Sequence, residues 1–302
     1  MLVSPGFDLG LMAVLGLLVG SFLNVVIYRL PLMLEAQWKS ECAEQCGQPA
    51  AAAAEPFNLS VPRSRCPHCG HAIAWHENIP VLSYLALRGK CSACAAPIAL
   101  RYPAVELVCG LLFLYCGAQW GISPTGLAWS GFCASLLTLA LIDWDTTLLP
   151  DDITLPLLWA GLLGSLLHWS GVALPDAVWG AIAGYCSLWL VNATFKLLKG
   201  EQHPSRPIWD IAWWLHRHDT GKDGMGFGDF KLFAALGAWF GWQGLVPIIL
   251  MASVLGAAIG IAMKFSSGLR EGGYMPFGPF LAGAGVTALV FGPATMLRAV
   301  GL

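Results

Sequence analysis

The sequence predicts an all-α polytopic membrane protein of about eight transmembrane helices, interrupted by one small hydrophilic domain between the first helix and the second. Three observations predict it. Only 11% of the 302 residues are charged and 57% are hydrophobic, against about 25% charged in soluble domains. Apolar runs near spanning length recur at roughly 8–28, 103–121, 125–142, 154–170, 177–198, 229–242, 244–265 and 277–297. The Lys and Arg residues alternate in step with those runs: with the N-terminus outside, all except Arg298 fall on the inner side. Dropping one span would scatter them. The expected organisation is therefore a first transmembrane helix at 1–31, a cytoplasmic domain at 32–102, and a seven-helix membrane domain at 103–302 with an inner loop at 199–223.

The first run lacks a basic start and a small-residue cleavage site, so it reads as a membrane helix and not as a signal peptide. Gly20, Ser21 and Asn24 share a helical spacing that suits close packing, Arg29 is placed to snorkel, and Pro31 to stop the helix. Asn24 lining a polar cavity is the other reading. Ala50–Ala54 reads as a linker, and Cys42 and Cys46 precede it without a partner pair.

After Pro62 the pattern sharpens. Cys66-Pro67-His68-Cys69 and Cys91-Ser92-Ala93-Cys94 are two C-x-x-C knuckles 21 residues apart. Each knuckle puts two sulfurs on one turn, and two turns complete a tetrahedron. Four thiolates without an open position predict a structural Zn2+ ion held by Cys66, Cys69, Cys91 and Cys94. Disulfides are disfavoured on the cytoplasmic side. A ribbon wedged between two spans, with few basic residues, gives no footprint for nucleic acid. His68, His71 and His76 read as surface residues or spare ligands.

The second span opens with Arg101-Tyr102-Pro103, and Glu106 is expected in its first turn. There it either complements the helix dipole or binds a cation such as a substrate amine. Cys109, Cys116, Cys133 and Cys186 read as buried span residues. The third span ends in Asp143, followed by Asp145, Asp151 and Asp152. The last two fit N-cap chemistry for the next helix; Asp143 lies nearest the membrane. The fourth and fifth spans look like scaffold. In the 199–223 loop, Trp209–Asp219 fits an in-plane interfacial helix.

Gly224-Met225-Gly226-Phe227-Gly228-Asp229 then places an acid at the mouth of an apolar helix. An ionisable group at membrane depth is a functional hypothesis by default. Gly226 and Gly228 are expected to permit positive φ and close approach of an extended chain. Pro276-Phe277-Gly278-Pro279 breaks the chain at the same surface and is expected to form another wall of the site.

Asp143 and Asp229 both stand at inner helix ends. Two carboxylates with water between them can hydrolyse a peptide bond, one taking a proton and the other donating one. Asp229 at a helix N-terminus is favoured as the anion, so Asp143, at a C-terminus, is expected to hold the shared proton. Two unrelated helix-end acids are the bland alternative. A proton-coupled transporter is a rival from another class, but both acids lie at one surface and no inverted repeat is visible.

These residues together resemble the type IV prepilin peptidases, bifunctional leader peptidase/N-methyltransferases of pili and type II secretion. The resemblance rests on Gly20–Pro31, both knuckles, Glu77-Asn78-Ile79-Pro80, Arg101-Tyr102-Pro103 with Glu106, Asp143 with Pro150, Gly226-x-Gly228-Asp229 and Pro276–Pro279, across nearly the whole chain. It implies that Asp143 and Asp229 are the catalytic pair. It implies cleavage of prepilins or pseudopilins after a Gly at the cytoplasmic face of the inner membrane. The new N-terminal residue, usually Phe, would then be methylated from S-adenosylmethionine. Glu77, Asn78, Gly89 and Lys90 become candidates for methyl transfer, although no G-x-G-x-x-G turn supports a donor pocket. A peptidase that has lost methylation is the near alternative. The 199–223 loop exceeds the family pattern by about one interfacial helix, which bears on partners and not on chemistry.

Overall fold

The computed structural model describes residues 5–47, 57–198, 226–265 and 275–299. The linker at Ala50–Ala54, the 199–223 loop with Trp209–Asp219, Gly224 and Gly272–Tyr274 lie outside the described residues. All regular structure among the described residues is helical, apart from two isolated bridges, Arg65 with Ala72 and Lys90 with Pro97. The chain divides into two compact units, Met1–Thr146 and Thr147–Leu302.

In the first unit, α1 (Pro5–Gln45) packs with α3 (Arg101–Trp120) and α4 (Pro124–Thr146). Between α1 and α3 lie a 3₁₀ turn at Trp75–Asn78 and the short α2 (Leu82–Ala86). In the membrane there is no hydrophobic gain from bringing two helices together, so small residues that admit close van der Waals contact set the crossing. A Cβ on Gly16 would fall 2.6 Å from the Phe113 Cβ, and one on Gly20 2.7 Å from the Glu106 Cα. Gly20 is thus a packing residue, and Asn24 donates to the Tyr102 carbonyl at 3.1 Å, so it ties α1 to α3.

Two expectations for α1 fail. Pro31 does not stop it: the helix runs 41 residues, about 60 Å at 1.5 Å per residue, twice the hydrocarbon thickness. Proline costs one intrahelical hydrogen bond. That loss is outweighed before it by burial of Leu23, Val26, Ile27 and Leu30. After it, the Glu35–Lys39 and Gln37–Glu41 pairs support the turns. Cys42 and Cys46 consequently sit on the helix and its C-terminal turn, both exposed. Arg29 does not snorkel either. It is buried, donating to the carbonyls of Asn58 (2.8 Å) and Pro62 (2.6 Å) beneath the Phe57 ring.

The second unit contains α5 (Asp151–Leu166), α6 (Leu174–Leu198), α7 (Phe227–Phe265), α8 (Gly278–Phe291) and α9 (Pro293–Ala299). Its centre is the first half of α7, where Phe230, Leu232, Phe233, Leu236 and Trp239 are all fully buried. Gly241, at φ 72°, breaks α7 and separates the two apolar runs read in the sequence. Gly180 on α6 and Gly237 on α7 meet so closely that a Cβ on either would overlap the other's carbonyl. The buried Trp239 indole donates to the Leu157 carbonyl at 2.9 Å, so its polar edge is satisfied in a dry environment.

Five of the described helices are long and apolar enough to cross a membrane, and Gly278–Phe291 is a shorter apolar one. This is an integral membrane protein of the expected helical class. By packing, α3 and α4 belong with α1, so the compact units part near Thr146 and not at the hydrophilic loop. Cys109, Cys116 and Cys133 are buried as expected, but Cys186 is exposed on α6.

Candidate functional site

The first unit carries Asp143 in the last turn of α4. Leu139 and Ile142 are fully buried beside it in sequence, and Asp143 itself is only 4% exposed. The neighbouring Asp145 is instead engaged by Arg101, whose guanidinium grips both carboxylate oxygens. Sequence order alone left four acids in this stretch. Burial separates Asp143 from Asp145, which serves an α3–α4 ion pair.

The second unit carries Asp229 in the first turn of α7, 7% exposed, with its N–H directed to the Gly226 carbonyl. Gly228 lies inside α7 and does not take positive φ. The requirement at Gly228 is contact: a Cβ there would lie 2.5 Å from the Leu149 Cβ. Asp151 and Asp152 are first-turn residues of α5, with Pro150 as N-cap, so they do not cap the helix. Asp151 receives Lys231 at 2.6 Å and 2.7 Å. Lys231 was visible in the sequence as the lone cation of its apolar run, but its partner is 80 residues away. Phe277 caps α8, accepting from Phe280 and Leu281 N–H, and its ring lies over Gly256. Pro276 and Gly278 flank it, both buried.

The knuckles bring their four sulfurs within 4.8 Å of one another. The Cys66–Cys94 sulfur separation of 3.8 Å matches the edge of a tetrahedron built on 2.3 Å zinc–sulfur bonds, about 3.8 Å. The two turns are built alike. Cys66 and Cys91 accept nothing from each other's turn through the backbone; instead Gly70 N–H closes on the Cys66 carbonyl and Ala95 N–H on that of Cys91. Backbone N–H groups of Cys69 and His68 aimed at the Cys66 sulfur pull its thiol down to about 7. Those of Cys94 and Ala93 lower Cys91 likewise. Thiolate stabilisation of this kind suits a metal ligand at Cys66 and Cys91; Cys69, despite the His71 N–H at its sulfur, is pushed up to about 12 by burial and the neighbouring sulfurs of Cys94, Cys66 and Cys91.

The residue after each second cysteine is left-handed: Gly70 at φ 72° and Ala95 at φ 57°. Glycine adopts that conformation freely and alanine does not. We expect Ala95→Gly to stabilise the ribbon by about 1 kcal/mol, read as a higher unfolding midpoint of this segment in hydrogen exchange. An unchanged midpoint would remove the strain argument.

Glu77 ties the region between the knuckles together. Hydrogen bonds from the Ser92 hydroxyl and the Ala74 N–H, with His71 at 3.2 Å, hold its carboxyl down to about 2. A depressed carboxylate contributes stability that is fully present above its unfolded value, about 4.3, and lost as pH falls through about 2. Glu77→Gln should therefore remove the pH dependence of the segment's stability across that window, measured by acid titration of its amide signals. His71 is thus a partner of Glu77 and not a spare ligand. Asn78 and Lys90 are exposed. Gly89 is buried at φ 67°, and a Cβ would strike the Tyr84 hydroxyl at 2.7 Å.

Glu106 departs from expectation. It lies in the second turn of α3, buried, and its carboxylate accepts the Val81 N–H at 2.8 Å. One carboxylate oxygen thus binds backbone of the loop.

These features define a helical integral membrane protein with a cluster of four cysteines able to hold a metal ion and two buried helix-end carboxylates. Residues 14–120 match the bacterial peptidase A24 N-terminal domain and residues 130–261 the type IV leader peptidase family. The chain is 48% identical to a prepilin leader peptidase/N-methyltransferase of Burkholderia pseudomallei over 95% of its own length and 86% of that protein. It is 49% identical to one of Pseudomonas putida, over 96% and 93%, and 47% identical to one of Pseudomonas aeruginosa, over 92% and 88%. No solved structure matches the chain. The chain belongs to the type IV leader peptidase family.

Proposed function

We propose that this protein is a prepilin leader peptidase/N-methyltransferase. The observation that carries the reading is similarity to enzymes of that name over nearly the full length, spanning both matched domains. In this reading Asp143 and Asp229 are the catalytic pair. One carboxylate accepts a proton from water as the oxygen attacks the scissile carbonyl; the other, protonated, donates to that carbonyl and the proton passes on to the leaving amine. The helix dipoles assign the resting proton to Asp143; infrared spectra of the two Asp→Asn variants showing it on Asp229 would reverse that assignment.

Each acid is buried in its own unit, and with little bulk water around a carboxylate the electrostatic contrast between its two protonation states is large. The distribution of Lys and Arg supports a site at the cytoplasmic face of a bacterial inner membrane, with the N-terminus in the periplasm. That position suits prepilin or pseudopilin substrates, whose basic leader stays in the cytoplasm while an apolar helix sits in the lipid. Cleavage follows a Gly, and the new N-terminal residue is then methylated.

The four thiolates would hold zinc as a structural ion, fixing the two knuckles that frame Glu77, Asn78, Gly89 and Lys90. S-adenosylmethionine supplies an electrophilic methyl group to the freed amine. Of the four framed residues, Asn78 and Lys90 have exposed side chains available to polar ligands, whereas Glu77 is engaged by Ser92, Ala74 and His71. Gly89 serves the close approach of Tyr84.

The test is incubation of purified protein with a prepilin and isotope-labelled S-adenosylmethionine, followed by mass spectrometry. The expected product lacks the leader and carries one labelled methyl on its N-terminus. An intact prepilin overturns the peptidase reading, and a cleaved but unlabelled product overturns the methyltransferase half.

A further inference from the structure

Val81, directly after Glu77-Asn78-Ile79-Pro80, is held in a strained backbone conformation. Its backbone sits at φ 60°, ψ −46°, and the Leu82 N–H closes back on the Pro80 carbonyl. That is a γ-turn of the rare positive-φ form. A β-branched residue in this conformation is a genuine outlier, because its Cβ crowds the backbone on both sides. Strain of this kind persists only where the surroundings over-determine it.

Here the surroundings are the packed helices α1 and α3. Forming the turn points the Val81 N–H away from the local chain and into the first unit's helix pair, where the buried Glu106 carboxylate takes it at 2.8 Å. Glu106 itself is locked from behind, since Gly20 of α1 packs on its Cα with no room for a side chain. Beyond the turn, α2 is secured to the same point by Ser83, whose N–H and hydroxyl both bond the Ile79 carbonyl. A buried carboxylate is costly unless it is hydrogen-bonded. Here the acceptor on a membrane helix and the donor in a strained loop each satisfy the other.

We infer that Glu106 is a positioning residue for methyl transfer: by holding the Val81 γ-turn, it sets the height and direction of the Glu77–Pro80 segment against the inner end of α3. This rests on the proposed methyltransferase reading. It replaces the expectation that Glu106 binds a substrate amine, and it makes a different demand of the side chain. Positioning needs an acceptor oxygen; amine binding needs a negative charge.

Three variants separate these demands, with the fraction of cleaved prepilin that carries a methyl as the readout. Glu106→Ala should lower that fraction at least about tenfold. Glu106→Gln retains an acceptor oxygen and should stay within about threefold of wild type. Glu106→Ala combined with Val81→Gly should recover much of the loss, because glycine takes the turn without strain. A Gln variant as defective as Ala, or a double variant no better than the single one, overturns the inference. If Glu106→Ala does not accumulate, the double variant decides: folded and methylating supports positioning, whereas misfolded, or folded and cleaving without methylating, refutes it. Failure of the wild-type enzyme to methylate at all would instead count against the proposed function, so the two failures are distinguishable.

Discussion

Asp143→Asn and Asp229→Asn should each reduce prepilin cleavage by about 10³–10⁴-fold, the range lost when a positioned proton donor or acceptor is removed. The two losses should not add, because each acid needs the other. Asparagine keeps the shape of the buried side chain, so both variants should insert and fold, and thermal unfolding in detergent should stay near wild type. The control lies in the same stretch of sequence. Asp145→Asn weakens an ion pair with Arg101 that is partly exposed on both sides, an interaction worth about 0–1 kcal/mol, and cleavage should persist. Cleavage surviving in either Asp143→Asn or Asp229→Asn would sink the pair. Loss of cleavage in Asp145→Asn with the fold intact would reassign the partner.

Removing the metal site should have the second-largest effect, and a different signature. Cys66→Ser with Cys91→Ser, or extraction with a strong chelator, should abolish bound zinc. Structural zinc is worth about 10–16 kcal/mol of apparent binding free energy in small zinc domains. The segment between the knuckles has few buried apolar residues to replace it; among its residues the four-cysteine cluster is the main convergence of side chains. Hydrogen exchange should rise across residues 64–98 and stay low in α4 and the first half of α7. Methyl transfer should fall at least about tenfold. A protein that holds no zinc as purified, yet methylates normally, would overturn the structural-metal reading. Exchange rising equally through the membrane helices would show that the ribbon is not a separable element.

Much of this was legible in the chain. The apolar runs all fall on helices, because a backbone in lipid must satisfy its own hydrogen bonds and has few alternatives. The knuckles were equally legible, since four cysteines at that spacing are brought together by two local turns. Other readings failed where the deciding partner is remote. Pro31 looked like a stop, but packing before it and polar pairs after it carry α1 through. Arg29 looked like a snorkelling residue until the Asn58 and Pro62 carbonyls appeared over it. Gly228 looked like a source of backbone freedom, and the demand proved to be room for Leu149.

The sequence by itself determined the class, the helix runs, the four cysteines that come together as a candidate metal site and the identity of the acids worth testing. Those follow from local pattern: hydropathy over a helix length, a two-residue gap between sulfurs, a carboxylate at the end of an apolar run. Tertiary structure alone decided which acids are spoken for by Arg101 and Lys231, why glycine is needed at Gly20 and Gly237, and that Glu106 serves Val81. Each of those depends on which atoms from distant segments come within about 3 Å, a distance at which hydrogen bonding and steric exclusion act and which one-dimensional spacing does not encode.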